Sequence, residues 1–196
     1  MTETLTKTVY FTRPGKDNTQ RTFELGLERA KDLGIKTVVV ATTTGETGAK
    51  AASFFKDFNV IAVTHVQGFR APDEQELTSE NRAAIELAGA KVLTVQHAFG
   101  GVNRAVRKKF NTYQLDEIIA HTLRIFGEGM KVVAEMALMT ADAGHTHTDT
   151  AALFMAGTGR GADTAAVVLP TNAHTFFDLK ILEVICRPSP AHPEFR

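Results

Sequence analysis

The residues of this chain best suited to hold a small molecule are threonines, glycines and a few charged groups gathered in short loops. The first set is Thr42-Thr43-Thr44-Gly45-Glu46-Thr47-Gly48, directly after an apolar run centred on Val38-Val39-Val40. Glycines let a backbone approach an anion closely, and free amides at a helix start favour negative charge. Threonine hydroxyls add donors, so the loop reads as a phosphate cradle. Its run Gly45-Glu-Thr-Gly-Ala-Lys50 is shorter than the G-x-x-x-x-G-K-[ST] loop of nucleotide hydrolases, so ATP hydrolysis does not follow. Glu46 must point away from any phosphate. The plainer reading is a turn between strand and helix, with Thr47 as the helix cap.

The second set is Gly157-Thr158-Gly159-Arg160-Gly161-Ala162-Asp163. It matches G-x-G-x-x-A, but that fingerprint has to open a helix, and Ala165-Ala-Val-Val-Leu-Pro170 beyond it is strand-like. Two readings remain. One is an anion-binding hairpin in which Arg160 offers forked donors; the other is a glycine-rich turn with a solvated arginine. His145, His147 and Asp149 alternate on an extended segment, yet nothing nearby completes a coordination shell and no zinc-type cysteine pair exists. They read as surface residues, and no metal site is expected. No G-x-S-x-G elbow supports a nucleophilic triad. Arg104, Arg107, Lys108 and Lys109 read as a solvated helix face, or as the border of an anionic ligand or partner. Cys186, inside an apolar run, reads as a core thiol.

These loops need elements to hold them. Phe23, Leu27, Ala30 and Leu33 share one face of a helix between Asn18, its cap, and Gly34, its stop. Strands are expected over Lys36–Thr42, Val60–Thr64 and Lys91–Val95, with helices over Ala49–Phe58 and Ser79–Ala88. Short apolar strands alternating with helices imply a parallel sheet covered on both faces. From Gln114 to Ala143 the pattern is helical, broken by Gly127 and Gly129 into a pair inserted against the sheet. Ala151–Ala156 and Thr164–Leu169 are joined by too few residues for a crossover, so they must pair antiparallel. Leu179–Cys186 is a last strand, and the tail with Pro190 and Pro193 should lie on the surface.

In an open α/β sheet, ligands bind beyond the carboxyl ends of the strands. That rule selects Thr42–Gly48, Thr64–Gly68, Val95–Gly101 and Gly157–Asp163. Val66, Gly68, His97 and Gly100 fall within these loops and join the candidate set.

The chain has 196 residues, with Lys and Arg together numbering 22 and Asp and Glu also 22. Its 43% hydrophobic content suits a single folded domain over 1–196 and excludes disorder. The zero net charge disfavours a nucleic-acid backbone binder. No apolar run approaches the roughly 20 residues of a membrane span, and the polar opening is unlike a signal peptide. One cysteine suits a reducing interior, so a cytoplasmic protein is expected.

The stretch Thr37–Thr64, with its Val-Ala-Thr-Thr-Thr-Gly-Glu-Thr-Gly core and Val-Ile-Ala-Val-Thr end, resembles the carboxy-terminal domain of pyruvate kinases. Together with Phe154-Met-Ala-Gly-Thr-Gly-Arg-Gly-Ala-Asp-Thr164, the whole chain is similar to the stand-alone proteins of that type in archaea and bacteria. The resemblance implies a three-layer α/β/α sandwich with a five-stranded, mostly parallel sheet containing one antiparallel strand. It also implies a phosphorylated ligand on Thr42, Thr43, Thr44, Gly45, Thr47 and Gly48, closed by the loop Gly157–Gly161. Stand-alone relatives are associated with flavin mononucleotide (FMN). The ring would then lie toward Val66–Phe69, His97–Gly101 and Arg160, where Phe69 or Phe99 would stack on it, with Asp163 completing the set. Kinase activity is not carried over, because it belongs to a separate barrel of about 250 residues. The alternative is a non-enzymatic regulatory module for another phosphorylated metabolite; a weaker one is a sugar-phosphate enzyme using His97 or Asp163 as proton carrier. The apolar Gln114–Ala143 stretch allows for a homo-oligomer, its helices covering either the sheet or a partner copy.

Overall fold

Val38, Val39 and Val40 are all fully buried, which requires cover on both faces of their strand. The computed structural model describes residues 3–189 and supplies that cover. In chain order the elements are β1 (Val9–Phe11), α1 (Thr19–Asp32), β2 (Thr37–Ala41), α2 (Glu46–Phe54), β3 (Asn59–Val63), α3 (Ser79–Leu87) and β4 (Lys91–Leu93). There follow α4 (Gly101–Phe110), α5 (Leu115–Arg124), α6 (Glu128–Asp142), β5 (Ala152–Ala156), β6 (Thr164–Leu169) and β7 (Lys180–Pro188). The strands form one seven-stranded sheet in the order β1-β7-β6-β5-β2-β3-β4.

Adjacent side chains along a strand point to opposite faces, and here both faces are apolar. Val38, Val40, Leu153, Met155 and Val167 pack with Phe23, Phe55 and Ile85 of the α1–α3 layer. Val39, Phe154, Ala166 and Val168 pack with Met130, Val133, Met136 and Ala137 of α6 on the other side. The result is the expected three-layer α/β/α sandwich. β6 runs antiparallel to both β5 and β7, while the remaining pairings are parallel. It is the single antiparallel strand anticipated from the short Gly157–Asp163 link.

The sheet has seven strands rather than five. β1 spans only three residues, too few to show a period, and pairs with the far end of β7 at Cys186–Pro188. β7 also runs past Cys186 to Pro188. Helix α2 begins at Glu46, not Ala49, because Gly45 takes φ of 96° as its N-cap, and it stops at Phe54. Asn18 precedes α1 but does not cap it with its side chain; its Nδ2 donates instead to the Arg13 and Gly15 carbonyls. The proline-bearing tail from residue 190 lies outside the described residues.

The central helical pair divides its work. α6 buries nearly its whole circumference and covers the sheet, whereas α5 leaves Leu115 and Ile118 exposed, as is Ile125 just past its end. Gly127, at φ of 113°, ends the link between them. Gly129 does not break a helix. It sits in the first turn of α6, where a Cβ would stand 2.5 Å from Thr164 Cβ and still closer to its hydroxyl. Its role is to let α6 approach β6. Among the described residues no helix is long and apolar enough to cross a membrane.

Gly129→Ala tests that close approach. Alanine is the better helix former, yet the variant should lose about 1–3 kcal/mol from overpacking against Thr164. Urea unfolding reads it; unchanged or raised stability would show that α6 is not seated as described.

Candidate functional site

The ladders of the parallel strands run one residue past each strand before the loops diverge. The Thr42 amide donates to the Val63 carbonyl and the Thr64 amide to the Leu93 carbonyl, both at 2.9 Å. Beyond them opens a cleft of about 810 Å³. Its walls come from the loop after β2, the end of β3, the Gly157–Gly161 turn, the residues leading into α1, and inward-facing side chains of α4, α5 and α6.

The loop after β2 is fixed by its neighbours. The Thr44 carbonyl accepts from the Thr78 amide at 3.2 Å and from Asn81 Nδ2 at 2.9 Å. Gly45 sits so close that a Cβ there would lie 2.5 Å from Asn81 Cβ and Leu77 Cδ1. Thr42, buried, accepts the Gly48 amide at 3.2 Å. Thr47 is not the cap: no side chain caps α2. The first helical bond runs from the Ala49 amide to the Gly45 carbonyl, leaving the Glu46 and Thr47 amides without an intrahelical acceptor. The hydroxyls of Thr43, Thr44 and Thr47 likewise lack a protein partner among the described residues. Glu46 also lines the cleft, its exposed side chain bonded to Lys50 Nζ at 2.7 Å. That bond and the Lys50 charge hold its carboxyl below the ordinary range, with smaller contributions from Lys16 and Arg160.

Opposite lies the Gly157–Asp163 turn. A Cβ at Gly157 would meet the Gly161 carbonyl oxygen, so the turn is folded tightly on itself. Asp163 is fully buried and holds the turn: its carboxylate accepts from the Gly15 amide at 2.8 Å, the Thr158 amide at 3.1 Å and the Thr164 hydroxyl at 2.9 Å. It braces the loop instead of facing the cleft, and it is too enclosed to carry protons for a substrate.

The structure brings Thr42, Thr43, Thr44, Thr47, Phe69, His97, Gly157, Gly159 and Arg160 together around the cleft. Gly45 and Gly48 lie behind the α2 turn, where Gly48 packs on Ile85, Ala62 and Thr42. Val66 and Gly68 support the wall: the Val66 amide donates to His97 Nε2 at 3.3 Å and the Gly68 amide to the Glu74 carbonyl. Gly100 precedes α4, and Thr158 hangs from Asp163. Phe99 cannot stack on a ligand. Its ring is buried edge-on to Phe176 at 5.8 Å, and its amide donates to Glu135 Oε1 at 3.1 Å. Phe69 already lies against His97 at 5.0 Å between centroids, with the Arg104 guanidinium over its ring at 5.0 Å.

Sequence reasoning passed over the wall furnished by α6. Lys131 and Glu135 pair one turn apart, with side chains only 6% and 4% exposed. His97 Nδ1 stands 3.6 Å from the same carboxylate oxygen as Lys131. Accepting the Val66 amide on Nε2 leaves the His97 proton on Nδ1, toward Glu135. With both nitrogens engaged, the ring is poorly placed to serve as a proton carrier. Burial pushes the Glu135 carboxyl up, but the contact with His97 and the charge of Lys131 outweigh it and hold the group at about 2. The spacing of Lys131 and Glu135 was visible in the sequence as an ordinary i,i+4 pair; nothing in it marked the pair as buried. Lys16, Arg104 and Arg160 line the cleft with no carboxylate within ion-pair distance among the described residues. No group of three or more metal-ligating side chains converges among the described residues.

The family model described as "Pyruvate kinase, alpha/beta domain" matches residues 20–168. The chain belongs to that family. The matched stretch contains β2 to β5 and β6 as far as residue 168. β1 and β7 lie outside it. Every loop that walls the cleft beyond β2, β3 and β5 falls inside the matched pyruvate kinase alpha/beta domain.

Glu135→Gln should cost about 3–5 kcal/mol at neutral pH, since it strands a buried lysine. Replacing both partners, Lys131→Met with Glu135→Leu, should cost much less. The Glu135 carboxyl is depressed from 4.5 to about 2, so its stabilisation is present above pH 4.5 and is lost as pH falls toward 2. Wild-type protein should therefore lose more stability across that window than Glu135→Gln does. Denaturant titrations at several pH values measure both effects.

Proposed function

We propose that this protein binds a phosphorylated small molecule in the cleft, FMN first among the candidates. The observation that carries the reading is the start of α2. Unpartnered amides of Glu46 and Thr47 and free hydroxyls of Thr43, Thr44 and Thr47 face a cleft that also holds Lys16 and Arg160 without carboxylate partners. Helix-start amides, hydroxyls and a guanidinium are the donors a phosphate dianion takes. Six cationic side chains against four carboxylates line the cleft, so an anion is favoured overall.

The rest of the cleft suits a flat ring. Its volume falls within the range of small-molecule sites, and Ala41, Val63, Val132, Met136 and Met139 supply an apolar wall next to the phosphate end. Lys131 at the same wall places positive charge where an electron-accepting ring would lie. When bound, the flavin would supply the reactive chemistry. The chain's own residues anchor the phosphate, exclude water along the methionine wall and set the charge around the ring.

One observation favours the second reading, a regulatory module for a smaller phosphorylated metabolite. Phe69, the aromatic expected to stack on the flavin, is already covered by His97 and Arg104. A sugar phosphate would use the phosphate end without needing that face.

Titration with FMN, riboflavin and a panel of sugar phosphates separates these readings. FMN should bind, riboflavin about tenfold or more weakly for want of the phosphate, and Arg160→Ala should weaken FMN by about tenfold. Tighter binding of a sugar phosphate would favour the regulatory module. Failure of every phosphorylated compound to bind or raise the Tm would refute the phosphate site itself.

A further inference from the structure

Helix α5 is apolar on two opposite sides, and only one of them is covered. Its inner side, with Ala120 buried and Ile119 and Leu123 half-buried, packs with Ala134 and Leu138 of α6. On its outer side Leu115, Ile118 and, just past the helix end, Ile125 are between 53% and 71% exposed. With Thr122 they recur at intervals of three, four and three residues, which places them on one stripe. A helix on the surface of a monomer turns polar residues outward, and one that is apolar on both sides is a buried helix.

Nothing polar on the stripe requires water. Thr122 donates its hydroxyl to the Ile118 carbonyl at 2.9 Å. The charged residues of α5 lie off the stripe and are engaged within the chain: Glu117 with Arg107, Arg124 with Glu128, and the Asp116 carboxylate with the Glu117 amide. The positions flanking the stripe are Gln114, His121, Ile119 and Phe126, with no Lys, Arg, Asp or Glu among them. Phe126 and Tyr113, the latter edge-on to His121 at 5.6 Å, extend the patch at its two ends, each more than half exposed. These side chains and the stripe expose roughly 650 Å², beyond the ~300–600 Å² of the largest patch on an ordinary monomer and near the ~800 Å² each partner gives to a standard interface.

The spacing selects the partner. Three, four, three reads the same in both directions, so α5 can lie antiparallel on its own image about a two-fold axis. Leu115 then faces the partner's Ile125, and Ile118 faces the partner's Thr122. Large against small at the centre lets the helices approach, and a three-four seam is the one that helix pairs use. The uncharged flanks set no like charges against each other. We propose that this face of α5 is a homodimer interface, covered by the same face of a second copy. The inference does not depend on what the cleft binds.

Sedimentation velocity on the full chain, from micromolar to submillimolar concentration, tests this. Wild-type protein should sediment at twice the mass of one chain. Ile118→Glu should weaken association about 100-fold or more, because it buries a carboxylate on each side of the axis. Its circular dichroism should match wild type, since the position is exposed in a single copy. Leu115→Glu and Ile125→Lys test the register. Each should be monomeric alone, and an equimolar mixture should recover the dimer, because the new carboxylate then faces the new ammonium. A wild-type monomer throughout the range would overturn the proposal and leave the stripe to another segment or protein. So would a dimer that Ile118→Glu leaves intact, or a mixture of folded variants that stays monomeric. A dimer without any phosphorylated ligand bound would sink only the cleft reading, and a ligand-binding monomer only this one.

Discussion

Two-sided burial of the central strands is the constraint from which the rest follows. Val38, Val39 and Val40 have no solvent face, and neither do Leu153, Phe154 and Met155 beside them. Polar side chains in that layer would need partners that an apolar sandwich does not supply. Chemistry is thereby pushed off the strands and into the loops beyond their ends. The parallel direction of β2, β3 and β5 brings three such loops to one edge, and the cleft is what lies between them.

That constraint also explains what was legible in the sequence. β2, β3, β5 and β6 announce themselves as short apolar runs, because burial on both faces leaves no polar residue to interrupt them. β1 was hidden because an edge strand of three residues carries no pattern of its own. The Thr42–Gly45 loop was legible because its composition is local: glycine for a positive φ, threonines for donors. Asp163 and Phe99 were misread for the opposite reason. A carboxylate next to a glycine-rich turn looks available until Gly15, distant in sequence, donates an amide to it. Phe99 looks exposed after Ala98 until α6 and the 173–178 turn close over it. Long-range contacts decide both cases.

The α6 wall shows the same dependence in energetic form. A lysine and a glutamate on the mostly apolar buried face of a helix are expensive to bury, and an apolar pair of similar size would serve stability as well or better. Their retention at the cleft, where Glu135 also holds the Phe99 amide and faces His97, is better explained by placement of charge than by strength. Three groups, the Lys131 ammonium, the Phe99 amide and the His97 ring, share one carboxylate there, so a change at any of the four shifts the other three.

The two sides of the cleft are therefore not equivalent. On the sheet side the amides of α2 are held by Thr42, Thr78, Asn81 and the close seat of Gly45, and they need no rearrangement to meet an anion. On the other side α4 buries none of its ten residues. It stands between Gly101 and Asn111, both at positive φ, and is tied down chiefly through Arg107 to Glu117 and Arg104 to Phe69. Segments with few buried apolar contacts have the lowest local stability in a fold. Arg104, one of the three cleft cations without a carboxylate among the described residues, and Arg107, the partner of Glu117, both sit on that helix. Rigid donors suit the invariant part of a ligand, a phosphate, while groups on a loosely seated helix suit the part on which selection among ligands depends. On the proposed reading, affinity and discrimination would thus rest on elements of different stability.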